Sequence, residues 1–116
     1  MIKNEYGPTL NISEEIHAMK YRSEGETFRE AMTRVAESLK DNESHFDNFR
    51  TILYNQRFLP AGRVQSAMGA PRKVTPYNCF VSGTIEDSMS GIMDAAKNAA
   101  RTMKLGGDIG YDFSTL

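Results

Sequence analysis

At 116 residues with 40% hydrophobic side chains, the chain has material for one small domain and little more. Fourteen Lys and Arg against fifteen Asp and Glu leave a net charge of −1, which argues against nucleic-acid phosphate or an anionic membrane as the main partner. The single cysteine cannot close an internal disulfide, Met1-Ile2-Lys3-Asn4-Glu5 carries no apolar signal core, and no apolar run approaches membrane-spanning length, so a reducing, cytoplasmic setting is expected.

Taken in chain order, Ser13-Glu14-Glu15-Ile16 reads as a helix start, with Ser13 as cap and two carboxylates at the positive end of the helix dipole, and the helix ends near Ser23. Glu24-Gly25-Glu26 breaks it. A second helix from about Thr27 to Lys40 sets Phe28, Ala31, Met32, Val35 and Leu39 on one face, and a third from about Glu43 to Gln56 repeats the pattern with Phe46, Phe49, Ile52 and Leu53. These helices share one apolar seam, and residues 1–57 are read as a helical region.

From Phe58 to Lys73 the periodicity is interrupted by Pro60, Gly62, Gly69 and Pro71, and Arg63, Arg72 and Lys73 make a basic connector or substrate-side loop. Val74 to Ser82, rich in β-branched and aromatic residues, reads as a strand with Pro76 near its start and Cys79 in its middle. Glu86-Asp87-Ser88 caps a fourth helix running to about Lys104, with Met89, Ile92, Met93, Ala96, Ala100 and Met103 turned inward. Gly106-Gly107 stops that helix, and Ile109 to Phe113 supplies a second strand. Residues 58–116 are thus a loop followed by strand, helix and strand, a parallel crossover. The fold class is α/β and mostly helical. The seven methionines are expected to fill cores.

Chemistry-bearing residues are few. An isolated cysteine in an apolar strand is by default a buried apolar residue, with nucleophile and redox thiol as the alternatives for Cys79. No second cysteine is present, and His17 and His45 are far from Cys79 and from each other in sequence, so no metal site is expected and both histidines read as surface residues. Gly106-Gly107-Asp108-Ile109-Gly110 lies between a helix and the following strand, the reverse of a nucleotide-fold loop. Those glycines suit a helix stop with a tight strand entry, or a place where a ligand approaches the backbone.

Four ordered blocks go further: Arg57-Phe58-Leu59-Pro60-Ala61-Gly62-Arg63-Val64-Gln65, Val74 to Val81, Glu86-Asp87-Ser88-Met89, and Gly106 to Leu116. Together they resemble the N-terminal portion of the catalytic chain of ribonucleotide reductases, most closely the adenosylcobalamin-dependent class. The resemblance implies a ten-stranded α/β barrel, of which this chain would give the first β-α-β unit. It also implies a thiyl radical that abstracts hydrogen from the ribose C3′ carbon and a cysteine pair that reduces the 2′ position. On that resemblance Cys79 matches the first cysteine of the redox pair, Asn78, Gly106 and Gly107 match substrate-lining positions, and Asp87 and Ser88 match the helix start that helps form the nucleotide effector site. Asp108 departs from it, standing where the family usually has a third glycine.

The expectation is therefore an N-terminal piece of a split or truncated reductase, inactive alone and completed by a C-terminal reductase portion or chain. Nucleotide substrate and nucleotide effector would be its ligands, and the edge of the Ile109 strand would invite a partner chain or self-association. Adenosylcobalamin would be bound mainly by the missing part, with no cofactor on this chain by itself. The alternative is a non-catalytic nucleotide-binding or assembly module derived from the reductase.

Overall fold

The helix starts expected near Thr27 and Glu43 are fixed by side-chain caps. In the computed structural model, which describes residues 6–116 and so leaves the Met1–Glu5 reading outside, Thr27 and Glu30 form a reciprocal capping box at the head of one helix. Asn42 accepts a hydrogen bond from the His45 N–H at the head of the next. The elements are α1 (Asn11–Tyr21), α2 (Phe28–Leu39), α3 (Glu43–Tyr54), α4 (Gly62–Ala67), β1 (Cys79–Val81), α5 (Met89–Lys104) and β2 (Asp108–Gly110). Among the described residues this is a small, mostly helical α/β chain, and no helix is long and apolar enough to cross a membrane. Contacts divide it into two units, one ending at Arg72 and the other Lys73–Leu116. Residues 58–72, grouped on sequence with the strand-helix-strand segment, fall in the helical unit.

The helical unit is built on the expected seam. Phe28, Ala31, Met32, Val35 and Ala36 of α2 are buried together with Leu53 of α3, while Phe46, Phe49 and Ile52 pack against that core half-buried. Leu39, placed on the same face, is exposed at the helix end. Ser13 is not a cap: α1 begins two residues earlier, after Leu10, and its first residues have no side-chain cap.

The connector holds a helix that the Gly and Pro punctuation concealed. At α4, Gly62 lies where a Cβ would come within 2.6 Å of the Tyr21 ring, so the bare glycine admits close approach to the end of α1. Arg34 of α2 supplies the other half of the explanation. Its guanidinium donates to Glu26 at 2.8 and 3.0 Å, to the Gln65 carbonyl at 3.1 Å, and to the Met68 carbonyl. A six-residue helix has little stability of its own, and here its last carbonyls are taken by a charged donor from another helix.

In the second unit β1 and β2 pair in parallel, with Cys79 opposite Asp108, Phe80 opposite Ile109 and Val81 opposite Gly110, and α5 makes the crossover. Both strands are three residues long, shorter than expected. Pro76 has no N–H to donate, and upstream of β1 the backbone is tied to this unit by bonds from the Thr75 N–H to the Leu105 carbonyl and from the Asp108 N–H to the Asn78 carbonyl. Cys79 is accordingly the first residue of its strand, not a central one, and it is exposed.

The inward face of α5 is also not the expected one. Met89, Ile92, Met93 and Met103 are exposed, as are Ala96 and Ala100, whereas Ala99 is buried and Gly91, Ala95 and Thr102 are half-buried beside it. Phe80 and Ile109 are the covered residues of their strands, and the face of α5 that is covered with them is the one carrying small side chains. The methionines as a group are therefore not core filler. Among the described ones Met32 is fully buried, while Met19, Met89, Met93 and Met103 are exposed. Met32→Ala is expected to destabilise the helical unit by about 2–5 kcal/mol, whereas Met93→Ala should stay within roughly 0.5 kcal/mol, as read from urea midpoints and amide exchange in α2 and α5.

Candidate functional site

The helix α5 ends in a glycine motif that sets β2 in place. Gly106, at φ +85°, donates to the Met103 carbonyl at 2.9 Å, and Gly107 donates to the Thr102 carbonyl at 3.1 Å, the paired bonds of a Schellman cap. A Cβ at Gly107 would lie 2.6 Å from Phe80 and 3.0 Å from Thr102, so this buried glycine is required by packing inside the unit. Two of the three substrate-lining positions expected from sequence thus have structural work of their own. The third, Asn78, is exposed and its carbonyl accepts from the Asp108 N–H at 2.8 Å.

That bond fixes what lies beside the thiol. In a parallel pair, residues in register project to the same face about 4.8 Å apart, so Cys79 and Asp108 share the exposed face of the sheet with Val81 and Gly110. Among the described residues, no ion pair or side-chain hydrogen bond engages the Asp108 carboxylate. The strand pair therefore presents a thiol and a carboxylate side by side at its amino end.

Asp87 and Ser88 stand beyond the opposite, carboxyl end of β1. Ser88 is the N-cap of α5, its hydroxyl accepting from the Gly91 N–H at 3.0 Å, and Asp87 is exposed just before it. The structure does not bring these two residues to Cys79. Between helix and strands runs a groove of about 440 Å³ whose polar lining includes Ser82, Glu86, Asp94, Asn98 and Thr102. None of the site residues expected from sequence lines it. Asp94 and Asn98 stand four apart on α5, a polar pair whose spacing marks one helix face. Lys97 donates to Asp94 at 2.9 Å and holds its carboxyl below the usual range.

The helical unit carries a second polar constellation, centred on His17, which sequence places at the surface. Arg22 donates from Nε to His17 Nδ1 at 3.0 Å and, through both terminal nitrogens, to Glu14 at 2.6 and 2.8 Å. Because a guanidinium only donates, Nδ1 accepts, and the proton of the neutral ring sits on Nε2, which donates to Gln65 Oε1 at 2.9 Å. Gln65 is buried and in turn donates to the Pro60 carbonyl at 2.7 Å. The ring rests between Tyr21 and Phe28, with centroids 5.3 and 5.2 Å away. Burial lowers the His17 pKa; the Gln65 bond and the Glu14 and Glu26 charges oppose this without reversing it, and the Arg22 charge adds to it. Glu14 is held below the carboxylate range chiefly by its Arg22 hydrogen bond. For Glu26 burial pushes upward, but the bonds from Arg34 and the Ser23 N–H prevail. His45, also expected at the surface, is half-buried, its side chain 43% exposed with the ring 5.5 Å from Phe49 and Nδ1 3.3 Å from Asp41.

No protein-family model, curated protein or solved structure matches this chain. Among the described residues no group of three or more His, Cys, Asp or Glu side chains is placed to hold a metal ion. If Gly107 serves Phe80, Gly107→Ala should destabilise the second unit by about 1–3 kcal/mol, while Gly83→Ala, with nothing within 4 Å of the added methyl, should leave it nearly unchanged. Amide exchange at β1 and β2 reads both.

Proposed function

We propose that this chain is the N-terminal part of a ribonucleotide reductase, in which Cys79 is one of the two thiols that reduce the ribose 2′ position. The observation that carries the reading is the β1-α5-β2 crossover, which seats Cys79 at the head of a strand whose parallel neighbour enters through Gly106-Gly107. It is supported by the four ordered sequence blocks that end in this same unit. The chemistry assigned to the site is a two-electron reduction. The 2′ hydroxyl leaves as water, the 2′ carbon gains hydrogen, and two thiols are oxidised to one disulfide, which an external dithiol resets.

One cysteine cannot form that disulfide, so in this reading the second thiol comes from a further reductase portion or chain. Cover must come from the same source, because a radical intermediate has to be kept from water and Val81, on the face of the thiol, is 91% exposed. In this reading adenosylcobalamin, as the source of the radical, is bound mainly by the partner portion, and the need for free thiols goes with a cytoplasmic, reducing setting.

Mixed with a candidate C-terminal reductase chain, dithiol, adenosylcobalamin and labelled ribonucleotide, the wild-type chain should support deoxyribonucleotide formation, and Cys79→Ser should reduce turnover to background without loss of the complex. Turnover that survives Cys79→Ser would reject the assignment. A stable complex that binds nucleotide equally well in the wild type and in the Cys79→Ser variant, with no turnover from either, would instead establish a non-catalytic nucleotide-binding module.

A further inference from the structure

We propose that the helical unit carries a small-molecule site of its own, a cleft of about 390 Å³ that takes an uncharged cyclic carboxamide or lactam. The inference is independent of the reductase reading, and the cleft lies wholly within the unit that ends at Arg72. Its size falls within the roughly 300–1,000 Å³ of ordinary small-ligand sites.

One wall is put in place by two unusual backbone positions. Gln56 follows the Asn55 C-cap of α3 at φ +51°, the left-handed conformation that glycine normally takes after a helix, and among the described residues no other non-glycine adopts it. What the glutamine adds is its side chain, which donates from Nε2 to the Gly7 carbonyl at 2.7 Å. Gly7, buried at φ +101°, lies where a Cβ would come within 2.7 Å of the Phe28 ring. The segment from Gly7 to Leu10 is thereby strapped against Phe28, and the backbone strain at Gln56 is spent on building the cleft.

The lining is uncharged. None of its eleven residues is Asp, Glu, Lys or Arg, although these make up 25% of the chain, and the His17 ring is neutral because Arg22 donates to its Nδ1. Arg22 is itself matched by Glu14 at 2.6 and 2.8 Å, and neither residue lines the cleft. A phosphate, carboxylate or ammonium group entering here would lose hydration without meeting a counter-charge, so the lining selects against all three.

Gln65 sets what an uncharged ligand must offer. It is 7% exposed, and its Oε1 accepts from His17, which fixes the amide, since the opposite orientation would set its NH2 group against the His17 Nε2–H. Of the two N–H bonds on its Nε2, one goes to the Pro60 carbonyl at 2.7 Å and the other has no acceptor among the described residues. A ligand carbonyl satisfies it. Ser13, His17 and Tyr21 stand four apart along α1 and so border the cleft together. The Ser13 and Tyr21 hydroxyls make no hydrogen bond among the described residues and are free to accept from a ligand N–H, while Phe28 and Leu10 give its ring apolar contact. A carbonyl and an N–H side by side on an uncharged ring are the complement of this set.

Amide NMR titration of the full chain with benzamide tests this, with benzoate and benzamidinium as an anion and a cation of nearly the same shape. Benzamide should shift the resonances of Leu10, Ser13, His17 and Gln65 saturably, in the millimolar range expected of so small a ligand, and both charged analogues should bind at least about tenfold more weakly. Ser13→Phe, which fills the cleft from an exposed position on α1, should abolish the shifts, and Gln65→Met should weaken binding about fivefold or more. Absence of saturable shifts at these residues, equal binding of benzoate or benzamidinium, or benzamide binding unchanged in Ser13→Phe or in a folded Gln65→Met overturns the proposal. Should Gln65→Met fail to fold, the charged analogues and Ser13→Phe decide.

Discussion

The helical unit depends on one guanidinium. Arg34 reaches Glu26 before α2, the Tyr21 carbonyl at the end of α1, and the Gln65 and Met68 carbonyls of α4, four acceptors on three segments from a single side chain. A lysine in its place has three donors on a point charge and no planar fork, so it could not span this set. The exit from α4 is moulded to the same side chain, since a Cβ at Gly69, where φ is +69°, would meet the Arg34 stem at 2.8 Å. Without that clamp the Gln65 and Met68 carbonyls at the end of α4 lose their charged donor, and the hold on Gln65, the partner that fixes the His17 tautomer, is weakened.

The second unit is governed by a steric constraint. The Phe80 ring packs so tightly on Gly107 that a Cβ there would lie 2.6 Å from it, and the covered face of α5 carries the small Ala95 and Ala99. The close fit sets the Schellman cap directly against the start of β2, which in turn brings Asp108 into register with Cys79. The bare backbone at Gly107 is occupied from the inside by an aromatic ring. Its glycine is consequently no independent sign of a nucleotide on the outside, and the case for a substrate face rests on the thiol, its carboxylate neighbour and the ordered sequence blocks.

Much of this was legible in the sequence wherever local chemistry decides. The Ser88 cap, the apolar period of α2 and α3, and the Gly106-Gly107 stop each act within a turn or two of themselves, and the helices they bound lie within a few residues of expectation, whereas the expected Ser13 cap is not used and Thr27 and Asn42, read only as helix limits, prove to be caps. Helix α4 was not legible because its cause is Arg34, 31 residues before Gln65 and 34 before Met68. The α5 error has a different origin. That helix carries two apolar stripes, one of Met and Ile and one of Ala and Gly, and periodicity cannot say which the sheet will accept. Hydrophobicity favours the larger side chains, and the covered face is the one with the smaller. For His17, the missing signal is likewise long-range: its partner Gln65 lies 48 residues on, inside a segment that reads as loop.

Two facts of different kinds bear on the reductase reading and make the same demand. Composition provides one thiol where the chemistry consumes two. Geometry places that thiol at the head of a three-residue strand on an open face, where the neighbouring Val81 and the Asp108 carboxylate meet solvent. A carboxylate there is well hydrated as long as the face stays open. Once a partner covers the face to protect a radical, Asp108 must either find a donor on that partner or on the substrate, or carry the cost of burial unpaired. A third glycine at that position would impose no such condition. The substitution thus ties the reductase reading to a complementary donor across the sheet face, a requirement that the non-catalytic module, whose face can stay wet, does not have.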